Sequence, residues 1–268
     1  MPELPEIETI RTSLEINIGA RITRIDVNRA DIIKREDFTP QELCGQTIME
    51  IRRRGKYLVL ELGNGSCLVV HLGMSGRFYM MPEAEEVQAS HVHFIVYLDN
   101  GTKLLYQDAR RFGGIRFCYE TVSLFAHMGV EPLGREFTGT YLTKICRNRQ
   151  IAIKTLLLNQ NLISGIGNIY ADESLFMAGI RGHRPAGSLT TAETKRLHRA
   201  IIKVLRKSIQ ERGTTFRDFR DGFNRSGNFQ NSLQVYGKTK QPCTICGGVI
   251  KKEIIGGRSS HYCECCQK

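Results

Sequence analysis

Four cysteines near the C-terminal end, Cys243-x2-Cys246-x16-Cys263-x2-Cys266, have the type and spacing of a four-thiolate zinc site. Each C-x-x-C pair grips a metal from one tight turn, and the segment between the pairs closes as a hairpin. Cys265 lies inside the second pair and is an alternative ligand, although only Cys266 keeps the two-residue gap. So few apolar residues surround these cysteines that the metal has to hold the segment together. With all four positions taken by protein, the single ion is structural and offers no open site to water. The hairpin is then a scaffold, and Arg258, in Gly256-Gly257-Arg258-Ser259-Ser260, sits at its expected tip.

Three other stretches carry groups that could grip a polyanion. Asn161-Leu162-Ile163-Ser164-Gly165-Ile166-Gly167-Asn168 joins two helical stretches through a glycine-paired turn, leaving backbone N–H groups and the Asn168 amide at a helix start. Asp108-Ala109-Arg110-Arg111-Phe112-Gly113-Gly114 sets two guanidinium groups beside an aromatic ring. Arginine can read base edges or phosphate, and an exposed Phe can wedge into a base stack. The plainer alternative pairs an arginine with Asp108 and buries Phe112 in a sheet. His71-Leu72-Gly73-Met74-Ser75-Gly76 is equally two-sided, since Met74 could be core or an exposed probe.

The charge distribution favours the polyanion. Of the net +11, residues 1–134 contribute 15 Lys/Arg against 18 Asp/Glu, whereas residues 135–268 contribute 23 against 9. A half that basic, next to a zinc hairpin, points first to nucleic acid. No run of eighteen apolar residues exists and no signal-like segment precedes Glu3. The odd total of nine cysteines does not suit a secreted disulfide framework, so a reduced, cytosolic (bacterial cytosol or nucleoid) protein is expected.

The elements that must position these groups follow from periodicity. Leu4, Ile7, Ile10, Leu14 and Ile18 recur at helical spacing. From Arg21 to about Tyr119 the pattern changes to short runs such as Tyr57–Leu60, Cys67–Val70 and Phe94–Tyr97, with Asn64-Gly65 and Asn100-Gly101 as turns. That predicts an antiparallel sandwich or barrel-like sheet. Glu131-Pro132-Leu133-Gly134 reads as a linker, residues 140–212 read as helical with a break at 164–167, and Asp221–Gly227 reads as a mobile polar loop.

Seven ordered motifs together resemble the bacterial formamidopyrimidine-DNA glycosylases over essentially the whole chain. They are Pro-Glu-Leu-Pro-Glu at 2–6, Arg-Gly-Lys-Tyr-Leu at 54–58, His-Leu-Gly-Met-Ser-Gly at 71–76 and Arg-Arg-Phe-Gly at 110–113. Gly-Ile-Gly-Asn-Ile-Tyr-Ala at 165–171, Val-Tyr-Gly at 235–237 and the zinc hairpin complete the set. The resemblance implies an α+β protein of two domains. An N-terminal helix with an antiparallel β-sandwich (1–131) and a linker (132–139) precede a helical domain with a helix–two-turn–helix element (140–231) and a zinc hairpin (232–268). Damaged duplex DNA would lie in the cleft between the domains. The protein is expected to work as a monomer, with no small-molecule cofactor and no membrane.

The implied activity is excision of oxidised purines (8-oxoguanine, formamidopyrimidines) followed by β,δ-elimination of the strand. Loss of Met1 would give Pro2 a secondary amine, and an α-amine titrates near 8, well below lysine. Such an amine can displace the base at C1′ and leave an iminium. Resemblance assigns Glu3 as general acid/base, Glu6 as its supporting carboxylate, Lys56 as a phosphate or proton partner near the lesion, and Arg258 to phosphate and the second elimination. The target nucleotide must be flipped. Met74, Arg110 and Phe112 would fill the gap, with Arg110 reading the orphaned cytosine. His71, His91, Arg149, Lys154, Asn168 and Tyr236 would hold the backbone, and Thr214, Thr215, Phe216, Arg217, Asp218 and Phe219 would cap the everted base.

Three departures from the family pattern stand out. The acid between His91 and His93 is replaced by Val92, Asn159 stands where aspartate is common, and Asp218 with Asp221 makes the capping loop acidic. Two other readings stand beside it: an endonuclease VIII-like enzyme for oxidised pyrimidines, which Leu4 and the Met74, Arg110, Phe112 set resemble less, and a catalytically silent zinc-bearing DNA-binding protein, against which Pro2, Glu3 and Lys56 argue.

Overall fold

The computed structural model describes the full chain, Met1–Lys268, as two compact units. One comprises Met1–Ala126 with Ile209–Gln230, and the other His127–Ser208 with Asn231–Lys268. Residues 209–230, assigned from sequence to the helical domain, therefore pack with the N-terminal unit.

The first unit opens with α1 (Leu4–Leu14), which closes one turn earlier than its apolar period suggests because Glu15–Asn17 tightens into a 3-10 turn. Its buried stripe, Ile7, Ile10 and Leu14, joins a single core shared by two sheets. One sheet has the order β1 (Ile22–Val27), β7 (Val92–Leu98), β8 (Thr102–Gln107), β6 (Arg77–Pro82). The other runs β2 (Ile33–Glu36), β9 (Gly114–Cys118), β5 (Cys67–His71), β4 (Tyr57–Leu62), β3 (Ile48–Arg54). Phe78, Phe94 and Tyr106 from the first sheet and Leu60, Val70 and Phe117 from the second lie in that core. This is the expected sandwich, with one exception: β2 pairs with β9 in parallel.

The unit ends in a short helix, α2 (Val122–Phe125), and regains the chain at Ile209. The segment expected to be mobile is folded around Asp221. That carboxylate is fully buried and accepts the N–H groups of Phe223 (3.0 Å) and Arg225 (2.8 Å). Phe219 anchors the same segment in the core, where a buried aromatic stabilises by about 1.5–3 kcal/mol.

The second unit is helical, in shorter pieces than the sequence suggests: α3 (Gly139–Cys146), α4 (Ile153–Leu158), α5 (Asn168–Ala178) and α6 (Thr191–Gln210). The turn before α5 is stitched by side chains. Asn159 Oδ1 accepts from Asn161 N (3.0 Å), and Gln160 Oε1 accepts from Gly165 N (2.9 Å), where φ is +90°. An asparagine closes this turn as an aspartate would, so the departure at 159 leaves the backbone intact. The hairpin β10 (Ile250–Ile255) and β11 (Arg258–Cys263) completes the unit.

Candidate active site and zinc centre

Pro2, Glu3 and Glu6 are all buried at the start of α1, while Met1 is exposed. Glu6 is the organising group. One carboxylate oxygen accepts Glu3 N at 2.9 Å and the other accepts Thr214 N at 2.7 Å, tying the helix start to the capping segment. Gly213 precedes that contact with φ +74°, and a Cβ there would come within 2.9 Å of the Glu6 oxygen. Glu6 thus does the ordinary work of an acid at a helix N-terminus and in addition tethers the segment at Thr214.

Lys56 follows Gly55 (φ +56°) in the two-residue turn between β3 and β4, and is only 7% exposed. Arg53 pins this turn, pairing with Glu8 of α1 at 2.8 Å and donating to Gly55 O at 3.1 Å. His71, at the end of β5, packs on Tyr57 and accepts Gly73 N on Nδ1 (3.3 Å). Burial first, then the charges of Arg116 and Lys56, hold its imidazole down to about 4. It is neutral at pH 7, with Nδ1 accepting and the proton left on Nε2, so it offers an N–H donor and not a cation.

Met74, Arg110 and Phe112 are exposed together on two neighbouring loops, Phe112 at 61%. The loops interlock through glycines: a Cβ on Gly73 would lie 2.4 Å from Gly113 N, and one on Gly113 would lie 2.2 Å from His71 O. Asp108 does not neutralise the Arg110 guanidinium. It is fully buried and accepts from Ser75 Oγ (2.6 Å), Gly113 N (3.0 Å) and Arg110 N (3.3 Å). The arginine side chain turns outward to Ser75 Oγ (Nε, 3.1 Å) and Asp218 (Nη2, 3.8 Å). His91 is exposed with φ +63°, whereas His93 is buried with Nε2 3.0 Å from Asp108 O.

In the capping segment the residues divide by exposure. Phe216 and Arg217 face outward, Thr215 and Asp218 are half-buried, and Thr214 and Phe219 are buried. Phe219 thus packs inward instead of capping a base. Asp221 is likewise turned inward, so only Asp218 makes the outer part of the loop acidic.

In the second unit Arg149 and Arg258 are exposed and Asn168 and Tyr236 are half-buried, with Lys154 a correction. Lys154 is fully buried; its ammonium lies 2.6 Å from Asp172 and donates to Ser259 O at 2.6 Å. A lysine so placed does not touch a phosphate; it holds the hairpin. Asp172 also accepts His261 N (2.8 Å) and lies 3.1 Å from its Nδ1, and Asn168 Nδ2 donates to Ser259 O (3.0 Å). The neighbouring Glu173 accepts the N–H groups of Gln234 (2.9 Å), Val235 (2.9 Å) and Tyr236 (2.9 Å). Its pKa is raised by burial, which outweighs those three amides. Sequence reasoning missed this pair, although two adjacent acids within the mostly apolar stretch Asn168–Ala178 were the available signal. Arg149 is exposed, and Tyr236 meets His261 edge-to-face, with ring centroids 4.9 Å apart. Arg258 is exposed as the first residue of β11, just past Gly256-Gly257.

Cys243, Cys246, Cys263 and Cys266 bring their sulfurs within 4.8 Å of one another. The Cys243–Cys266 and Cys246–Cys263 separations are 3.8 and 3.4 Å. A tetrahedron with 2.3 Å bonds places its sulfurs about 3.8 Å apart, so one zinc ion fits. Gly248 N also points to Cys246 Sγ at 3.4 Å, as an amide does toward a metal-bound thiolate. Cys265 is exposed and outside the group.

Comparison with known proteins agrees with this arrangement. Residues 1–115 match the formamidopyrimidine-DNA glycosylase N-terminal domain, 128–220 its H2TH domain, and 240–268 the zinc finger found in FPG and IleRS. The chain belongs to the formamidopyrimidine-DNA glycosylase family. The Syntrophomonas wolfei formamidopyrimidine-DNA glycosylase is 56% identical over 268 residues, the full length of both chains. Among solved structures, the Lactococcus lactis Fpg in complex with abasic-site DNA is 34% identical, with a TM-score of 0.91 over 99% of each chain. The Thermus thermophilus MutM (Fpg) protein is 35% identical, with a TM-score of 0.88 over 99% of this chain and 98% of that one. The chain is accordingly a DNA-repair glycosylase that binds DNA and carries a structural zinc finger, and no helix is long and apolar enough to cross a membrane.

Proposed function

We propose that this glycosylase excises oxidised purines, 8-oxoguanine and formamidopyrimidines, from duplex DNA and then cuts the strand as an AP lyase. The observation that carries the reading is the N-terminal constellation. Pro2 is buried beside Glu3, and the Glu6 carboxylate fixes the backbone of both Glu3 and Thr214. Met1 is exposed to processing, which leaves the Pro2 secondary amine as the chain end. That amine attacks C1′ of the flipped nucleotide, the C1′–base bond breaks, and Glu3 manages the proton at the departing base or ring oxygen. The resulting iminium acidifies the C2′ proton, so the 3′ phosphate leaves by β-elimination and the 5′ phosphate by δ-elimination. Arg258 offers charge to a phosphate in that second step.

DNA would be gripped by His71, His91, Arg149, Asn168 and Tyr236, with Lys154 acting through the hairpin it holds. Met74, Arg110 and Phe112 would occupy the gap, and Phe216 with Arg217 would cover the everted base. The enzyme would work as a monomer without a small-molecule cofactor. The Lactococcus lactis relative has been solved with a Fapy-dG-containing DNA and also with an oxidized-pyrimidine-containing DNA, which supports a damaged-base substrate by analogy and leaves the choice of purine to the test. The test is competition between 8-oxoguanine:cytosine and thymine-glycol duplexes, with products resolved before and after alkali. Preferential purine excision with a strand cut that needs no alkali is expected. Preference for the pyrimidine, or release of base without a cut, would overturn the corresponding half of the reading.

A further inference from the structure

We propose that Ser75, oriented by the buried carboxylate of Asp108, is the positioning residue that sets which edge of Arg110 meets the base opposite the lesion. This rests on the opposite-base role given to Arg110 above. Two polar groups reach the guanidinium, and the Phe112 ring lies 5.9 Å from its central carbon, a contact with no donor preference. Asp218 lies 3.8 Å from Nη2 and both side chains are nearly half exposed (48% and 46%), the kind of ion pair that fixes little. Ser75 Oγ is closer, 3.1 Å from Nε, and its own orientation is not free. A serine hydroxyl has one proton, and this one goes to Asp108 Oδ1 at 2.6 Å. Toward Arg110 the oxygen can therefore only accept.

Asp108 cannot turn away. It is fully buried, takes Gly113 N and Arg110 N, and has Tyr106 Oη at 3.3 Å from its second oxygen. A chain of bonds thus runs from the core, through one hydroxyl, to an exposed cation. With Nε engaged by Ser75, the donors left for DNA are those on Nη1 and Nη2. Cytosine without its partner presents two adjacent acceptors, O2 and N3, which match that pair. Adenine presents one acceptor, N1, beside the N6 donor, so the same edge of the guanidinium meets a donor it cannot satisfy.

The experiment is single-turnover excision of 8-oxoguanine opposite cytosine and opposite adenine by the wild type, Arg110→Ala, Ser75→Ala and Ser75→Thr, with melting temperatures for each. Arg110→Ala should narrow the cytosine preference. Ser75→Ala should narrow it by roughly three- to tenfold, the worth of one hydrogen bond, and Ser75→Thr, which keeps the hydroxyl, should restore it. If Arg110→Ala narrows the preference but Ser75→Ala leaves it intact or slows both duplexes equally, the Ser75 assignment is wrong and the Arg110 reading stands. Failure of Ser75→Thr to restore the preference also overturns the assignment. An unchanged preference in Arg110→Ala removes the reading and the assignment together.

Discussion

The start of α1 and the tip of the zinc hairpin carry the two ends of the proposed chemistry, and they are built by opposite means. Pro2, Glu3 and Glu6 are buried, and carboxylate-to-amide hydrogen bonds from Glu6 fix Glu3 and Thr214 within one unit. Arg258 stands exposed on a two-stranded ribbon whose order comes from four thiolates below it and from the Lys154–Asp172–His261 cluster beside it. Reacting groups gain from a dry, preorganised setting, while a phosphate contact must stay in water until DNA arrives. The difference implies that damage to the hairpin's supports should fall mainly on binding, whereas damage at the helix start should fall mainly on chemistry.

The largest effect should come from the metal. Cys266→Ser or chelation is expected to release the zinc and remove DNA binding while leaving the β-sheet signal of the first unit, as read by metal content, circular dichroism and binding. Cys265→Ser should keep all three. Exchange of those two phenotypes would mean that the wrong sulfur has been taken as ligand.

Lys154→Ala comes next. Removing one partner of a buried ion pair typically costs about 3–5 kcal/mol, here by leaving the Asp172 carboxylate uncompensated. The variant should melt earlier and bind more weakly, yet keep the wild-type slope of log affinity against log salt. Arg258→Ala should do the reverse, leaving stability alone and reducing that slope by about one. A flattened slope in Lys154→Ala would put its ammonium on a phosphate after all.

Lys154 also marks where sequence reading stopped. The zinc ligands, the sandwich strands and the N-terminal helix were legible because cysteine spacing, alternation and the helical period are local signals. The partner of a basic residue is not local: nothing between Lys154 and Asp172 in sequence announces that the two are buried together. Phe219 and Asp221 were misjudged for the same reason, since a polar, glycine-bearing loop gives no sign of which side chains turn inward. Exposure of Phe112 was the opposite case, a choice between core and surface that composition left open and the glycine-paired loops decided.

Smaller effects test the helix start and its neighbour. Glu6→Ala would leave Glu3 N and Thr214 N without their acceptor, about 1–3 kcal/mol for each buried donor. Excision should fall further than binding, and Glu6→Gln, which keeps an acceptor, should recover part of it. At His71 the folded pKa of about 4 lies below the ordinary 6.5, so the unfolded chain binds the extra proton between those values. Stability should therefore be fully present above pH 6.5 and drain away as pH falls toward 4. Urea midpoints across that window should fall less steeply in His71→Gln. Equal slopes would show that the imidazole is not held neutral.

The central claim is that the chain end at Pro2 is the nucleophile. Borohydride reduction during reaction with an 8-oxoguanine:cytosine duplex, followed by mass mapping of the protein–DNA adduct, tests it most directly. The predicted adduct lies on an N-terminal peptide that begins at Pro2, and it should be absent from protein that retains Met1. A crosslink on Lys56 or any other lysine, or trapping that persists with Met1 in place, would contradict the account.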